Sequence, residues 1–231
     1  MPVRSVPGCA SIANSVASSA ASSATNAEGG KLFAPSAERN LAVLCDLLQQ
    51  VAPAAGKRAL ELASGTGQHV VGYAACLPGF FWQPTEADPT RLRSIDAHVA
   101  ETDLTNIHPA KPLDATAAGW GAATEPQDLI VLSNLLHLIS TPEVQCLLCE
   151  AAKALSPTGR LVIYGPFSRG GELTSPGDEQ FHASLRAHDP AIGYKDDFDV
   201  LDWAGDSGLS PVEVIEMPAN NLALVFAKSP P

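Results

Sequence analysis

From Lys31 onward the hydrophobic positions alternate between two periods, and the alternation repeats along the chain. Leu41, Leu44, Leu47, Leu48 and Val51 fall at helical spacing, with Ser36 placed to cap that helix and Pro53 and Gly56 past its end. Residues 58–63 form a short apolar run that reads as a strand, followed by a glycine-containing turn and a helix to about Cys76. Residues 80–85 read as a second strand; Pro89 sits in the first turn of a helix running to about Ala100, and a weak third strand ends near Asp114. Residues 128–133 are the clearest buried strand. Thr141-Pro142-Glu143 then opens a helix as N-cap and first two helical positions, ending near Leu155, and residues 160–164 give a fifth strand. Strands that alternate with helices in this way predict a parallel sheet covered on its faces.

The end of the chain breaks the rhythm. Residues 211–217 and 222–228 are two strands joined only by Pro218-Ala219-Asn220-Asn221, too short a link for a crossover helix, so they must be antiparallel neighbours. The expected fold is α/β and Rossmann-like: a mostly parallel seven-stranded sheet with a C-terminal antiparallel hairpin and helices on both faces. In architecture this resembles the class I methyltransferases and differs from ordinary dehydrogenases.

Residues 1–30 carry no period. They are rich in Ala and Ser, hold no acid before Glu28, and end in Gly29-Gly30. Such a segment buries too little apolar surface to offset the entropy of ordering, so a disordered leader is expected ahead of one domain over 31–231. A Ser-rich, acid-poor leader also reads as an organelle transit peptide, although Arg4 is its one basic residue. Without that signal the expected compartment is the cytoplasm.

Of the 231 residues 45% are hydrophobic and 17% charged, and the net charge is −11. A chain this long buries a full core without staples. Its acidity repels phosphate backbones, which argues against a nucleic-acid partner and for a small molecule. The five cysteines, Cys9, Cys45, Cys76, Cys146 and Cys149, are odd in number and scattered, unlike a disulfide framework. Cys146 and Cys149 lie within a helix with no second Cys or His pair at zinc spacing, so no metal is expected. No apolar run approaches the roughly 20 residues of a membrane span.

The chemistry concentrates at Glu61-Leu62-Ala63-Ser64-Gly65-Thr66-Gly67-Gln68-His69. Small residues between a strand and a helix let backbone approach a ligand, and the helix start presents free N–H groups to it. Glu86, at the end of the second strand, can accept both ribose hydroxyl protons, while Asp88 is placed to cap the helix begun by Pro89. Two features favour S-adenosyl-L-methionine over a nicotinamide cofactor. Glu61 precedes the glycines, where class I methyltransferases keep an acid near the methionine end, and Val70 stands where a dinucleotide fingerprint needs its third glycine. Ala63 departs from the usual first glycine by one methyl group. Further candidate cofactor contacts are Asp114 and Ala115 at the end of the third strand, for the adenine, and Asn134 after the fourth.

The stretch from about Lys31 to Lys228 resembles a family of methyltransferase-like proteins long filed as a bacterial domain of unknown function, with animal members called methyltransferase-like protein twenty-six. The residues that carry the resemblance are Pro35 to Asn40, Leu62 to His69, Trp82-Gln83-Pro84, Tyr164-Gly165-Pro166-Phe167, Phe181 with Leu185-Arg186 and Asp189-Pro190, and Pro218 to Leu222. It implies a class I fold and methyl-donor binding, and it implies no substrate.

A methyl sulfonium is already activated, so alignment is the main task, and a base matters only if the acceptor must lose a proton. His137, after the fourth strand, is the candidate base; His69 is read as lining the cleft, and His98 and His108 as surface residues. Candidate acceptor contacts are Arg39, Asn40, Tyr164, Arg169 and Arg186, the last two lying in a long insertion of residues 167–194 expected to lid the pocket. Asn134-Leu135-Leu136-His137 lacks the Asn/Asp-Pro-Pro-Tyr pattern of amine and amide methylation, leaving oxygen, sulfur or carbon of a small molecule. A cofactor-binding accessory protein without turnover and a nicotinamide oxidoreductase stay open as alternatives.

Overall fold

The computed structural model describes residues 25–26 (backbone only) and 30–229. The rest of the Ala/Ser-rich leader, and with it the expected disorder or transit peptide, lies outside the described residues. Within that leader, β1 (Thr25–Asn26) pairs antiparallel with β2 (Leu32–Phe33). The main elements then follow as α1 (Pro35–Val51), β3 (Arg58–Leu62), α2 (Gln68–Cys76), β4 (Phe81–Glu86), α3 (Pro89–Ala100), β5 (Lys111–Pro112) and α4 (Trp120–Ala123). After them come β6 (Gln127–Ser133), α5 (Thr141–Ala154), β7 (Leu155–Ser168), α6 (Pro176–His188), β8 (Lys195–Asp196), α7 (Asp197–Asp206), β9 (Leu209–Glu216) and β10 (Asn221–Lys228).

The sheet runs in the order β5-β4-β3-β6-β7-β10-β9, with β8 a two-residue addition against β7. The strands from β3 to β7 pair in parallel, and β10 is antiparallel to both β7 and β9. Strand order reverses between β3 and β6, so successive crossovers leave in opposite directions there and open a crevice at the C-terminal ends of the two strands. This is the class I methyltransferase layout expected from the sequence.

Alternation along each strand feeds two cores. Ala59, Leu129, Val131 and Val162 point with Trp82 toward α1, α2 and α3, where Leu44, Leu48, Val70 and Tyr73 meet them. Leu60, Leu62, Ile130 and Leu132 point the other way, into Leu147 and Leu148 of α5 and Val200 of α7. Each fully buried aliphatic side chain contributes about 1.5–3 kcal/mol, and these two layers fix the strands whose tips build the crevice.

Local chemistry shifts several boundaries. Pro35 rather than a later residue takes the first turn of α1, so Ala34 and not Ser36 is its N-cap. Ser140 precedes α5, its N–H and hydroxyl both donating to Glu143 at 2.7 Å, one residue before the expected cap at Thr141. His98, expected at the surface, is half-buried and bonds the Leu32 carbonyl at 2.9 Å, pinning β2 to α3. α7 is not anticipated from the sequence, although five of its ten residues (Phe198, Val200, Leu201, Trp203 and Ala204) are apolar and Asp196, whose side chain accepts from the Phe198 N–H, marks its start. Among the described residues no group of His, Cys, Asp and Glu could hold a metal, and no helix is long and apolar enough to cross a membrane.

Candidate functional site

The turn after β3 is left-handed at three of five positions, with φ of +51° at Ala63, +59° at Gly65 and +97° at Gly67. At Gly67 a Cβ would stand 2.6 Å from the Ile95 Cα, so glycine is required both by φ and by the approach of α3. Ser64 fastens the turn to β4: its N–H donates to the Thr85 carbonyl at 2.8 Å, and its hydroxyl accepts from the Thr85 N–H at 3.1 Å. The Thr85 hydroxyl donates to the Glu61 carbonyl at 2.7 Å, closing the join between the two strand ends.

Glu86 sits across the turn. Its Oε2 accepts from the Gly65 N–H at 2.9 Å, its Oε1 accepts from the Ala87 N–H at 2.8 Å, and the Arg91 guanidinium stands 4.0 Å away. On the other side α1 is tied down. His69 Nε2 donates to the Ala37 carbonyl at 3.1 Å, and the Gln68 side-chain carbonyl accepts from the Ala34 N–H at 2.6 Å. Burial holds the His69 imidazole neutral, with its pKa lowered to about 4.

The turn, α1 and the end of β6 form a cleft over the tips of β3 and β6 that encloses about 120 Å³ and opens to solvent, with Glu86 buried behind the turn and not on the cleft wall. Ala63, Ser64, Gly65, Thr66 and His69 line it from the turn and α2, Ser36 and Ala37 from α1, Arg91 from α3, and Ser133 and Asn134 from the end of β6. Asn134 has φ +55°, which an asparagine tolerates, and its N–H donates to the Tyr164 carbonyl at 2.8 Å.

Glu61 lies below the cleft, not on its wall. It is 2% exposed and its Oε2 has no hydrogen-bond partner among the described residues. Burial raises its pKa to about 8; Ser64 pulls the other way and the Glu86 charge adds to the rise. Tyr73 packs beside it, with its hydroxyl 3.2 Å from that of Ser133.

Several residues singled out in the sequence lie elsewhere. Asp114 accepts from the Thr116 N–H at 2.9 Å and hydroxyl at 2.7 Å, and Ala115 packs into the α5 core, so neither lines the cleft. Arg39 is exposed on α1 with Asn40 half-buried beside it, and Arg186 is exposed on α6. Tyr164 is a core residue whose hydroxyl accepts from Asn221 Nδ2 at 3.0 Å. Arg169 is committed to the C-terminal hairpin, paired with Glu216 and donating to the Asn220 carbonyl at 3.1 Å.

His137 sits under α6, with ring centroids 5.7 Å from Phe181 and 6.3 Å from Tyr194. Burial, reinforced by the Lys195 charge, lowers its pKa to about 3. Lys195 is itself buried and lowered to about 8, and its ammonium donates to the Ile139 carbonyl at 2.7 Å and the Gly193 carbonyl at 2.9 Å. α6 is anchored by Asp178, which accepts from the Tyr194 hydroxyl at 3.0 Å and from Asn220 Nδ2 at 3.1 Å.

Arg91 escaped the sequence reading. Its signal was its place in the first turn of a helix that follows the Glu86 strand end, where a side chain can fold back over the strand tip.

Solved methyltransferases share this architecture. The O-methyltransferase family protein from Burkholderia thailandensis superposes with TM-score 0.73 at 16% identity, over 84% of this chain and 57% of that one. The mitomycin 7-O-methyltransferase MmcR gives TM-score 0.70 at 14% identity, over 83% and 54%. Human N-acetylserotonin methyltransferase in complex with SAM gives 0.66 at 13%, over 84% and 52%. The chain therefore spans about half the length of the structures it matches. From Lys31 to Lys228 the sequence matches the model of the protein of unknown function family DUF938, and the chain belongs to that family.

Proposed function

We propose that this chain is an S-adenosyl-L-methionine-dependent methyltransferase acting on a small-molecule acceptor. The observation that carries the reading is a cleft over the parallel strand tips, walled by the left-handed turn at Ala63, Ser64 and Gly65 and by Ser133 and Asn134, with the buried Glu86 carboxylate held behind the turn by the Gly65 N–H. The residues present fit an adenosyl ligand. Glu86 has oxygens for two ribose hydroxyls, Ala63, Ser64 and Gly65 keep the floor low, and the partnerless Oε2 of Glu61 lies beneath the same turn.

When bound, the cofactor supplies a methyl group activated by its sulfonium, and in-line transfer needs little beyond alignment, worth about 7–11 kcal/mol. The chain's own residues provide that alignment. Glu86 and Gly65 hold the sugar, Ser133 and Asn134 bound the side toward β6, and the α1 residues Ser36 and Ala37 keep water off the buried face. His137, the candidate base, is packed under α6 against Phe181 and Tyr194 and does not line the cleft. With its pKa lowered to about 3 it is too weak a base to take a hydroxyl proton, so its role is packing and transfer rests on alignment alone. The solved proteins of this fold that are named as O-methyltransferases support an oxygen acceptor.

One observation favours a second reading, a cofactor-binding partner protein without turnover: Val212 and Val214 are 50% and 47% exposed on the edge strand β9. Calorimetry with S-adenosylhomocysteine and with NADH tests the first claim. Homocysteine-adduct binding at one site with no NADH binding is expected; the reverse rejects the proposal. Labelled methyl transfer into a metabolite extract separates turnover from binding alone.

A further inference from the structure

On the sheet face that carries α5 and α7, the crossover between β5 and β6 contains only the single turn α4. Four residues cannot cover two strands fully, and although Leu60 and Thr85 stay buried, the outer end of this face at Phe81 and Gln83 is reachable from solvent. A groove of about 330 Å³ runs there along Phe81, Gln83 and Thr85, which alternate onto one side of β4, with Leu60 of β3 in its floor. That volume falls at the lower end of the about 300–1,000 Å³ typical of small-molecule sites.

The groove is cationic in an acidic molecule. The chain has a net charge of −11, yet the charged groups along the groove are Arg58 and Lys111 against one acid, Glu125, with the His108 imidazole beside them. Glu125 already pairs with Arg58 at 3.4 Å, and Lys111 makes no ion pair among the described residues. The Phe81 ring is 52% exposed and lies tilted against His108 with centroids 6.3 Å apart, which gives the groove an apolar wall beside two N–H donors. Nothing in the cofactor cleft shares these residues.

We propose that this groove is a second small-molecule site, separate from the cleft, for an organic anion with a flat apolar body such as an aromatic carboxylate or sulfonate. The body lies against the exposed Phe81 ring, and the anion meets Lys111 and His108. Fluorescence titration of the full chain with 8-anilinonaphthalene-1-sulfonate tests it, with the uncharged N-phenyl-1-naphthylamine as comparison. One saturable sulfonate site is expected, at least tenfold tighter than the neutral compound and weakened tenfold or more in Lys111→Glu and in His108→Glu. Both side chains are exposed, so an unchanged thermal midpoint certifies the variants as folded. Equal binding of the neutral compound, wild-type sulfonate affinity in both variants, or loss of the site in the cleft variant Arg91→Glu instead would each overturn the proposal.

Discussion

The Gly65 N–H and the Glu86 carboxylate meet at 2.9 Å, although 21 residues separate them in the chain. The bond fixes the turn after β3 against the end of β4, and it leaves the same oxygen a second lone pair. Arg91, 4.0 Å from the same oxygen, shares the charge. Replacing Glu86 by Ala therefore removes the brace of the turn together with the proposed sugar acceptor. Affinity for S-adenosylhomocysteine is expected to fall at least tenfold, or about 1.4 kcal/mol, in calorimetry. Wild-type affinity in Glu86→Ala would remove this residue from the sugar site.

Gly67 is the residue of the turn least able to change. Alanine there adds left-handed strain and drives a methyl group to within 2.6 Å of the Ile95 backbone. The two effects together predict a loss of about 2–4 kcal/mol in urea unfolding, since neither the start of α2 nor α3 can move away without opening the cleft.

Ala63 predicts the opposite sign. At φ +51° it occupies a conformation that costs an L residue about 1–2 kcal/mol and glycine almost nothing, while glycine gives back part of that gain through its freer unfolded chain. Ala63→Gly is expected to raise stability by a net of up to about 1 kcal/mol, read as a higher urea midpoint with unchanged slope.

How far the sequence displayed this site depends on how local each interaction is. The strand-turn-helix at Glu61 to His69 was legible because its glycines and flanking periods sit side by side, and Asp88 was legible as a cap, since its carboxylate accepts from the Thr90 N–H two residues on at 2.7 Å. Arg169 and Tyr164 were not, because their partners Glu216 and Asn221 lie 47 and 57 residues away and carry no local pattern. A lone arginine reads equally as substrate clamp or strut; the hairpin that claims Arg169 becomes visible only in three dimensions.

The burial of Glu61, His69 and His137 predicts the pH dependence of stability in the ligand-free protein. An unfolded glutamate loses its proton near about pH 4.3, whereas native Glu61 keeps one until about 8, so over that range the native state binds the extra proton and stability falls as pH rises. The histidines act with the other sign. Unfolded imidazoles gain a proton below about 6.5, while native His69 and His137 stay neutral down to about 4 and about 3, so stability falls as pH drops below 6.5. Between about 6.5 and 4.3 His69 and His137, joined by His182, which burial also lowers, oppose one glutamate and the acid fall wins; above 6.5 the Glu61 proton dominates until Lys195 begins to titrate near 8. Stability measured by urea unfolding should therefore peak near pH 6.5. Glu61→Gln keeps the shape but carries no titrating proton, so it should flatten the alkaline limb and become more stable than wild type from pH 6.5 to 8. A wild-type alkaline slope in that variant would show that Glu61 is not the group holding the proton.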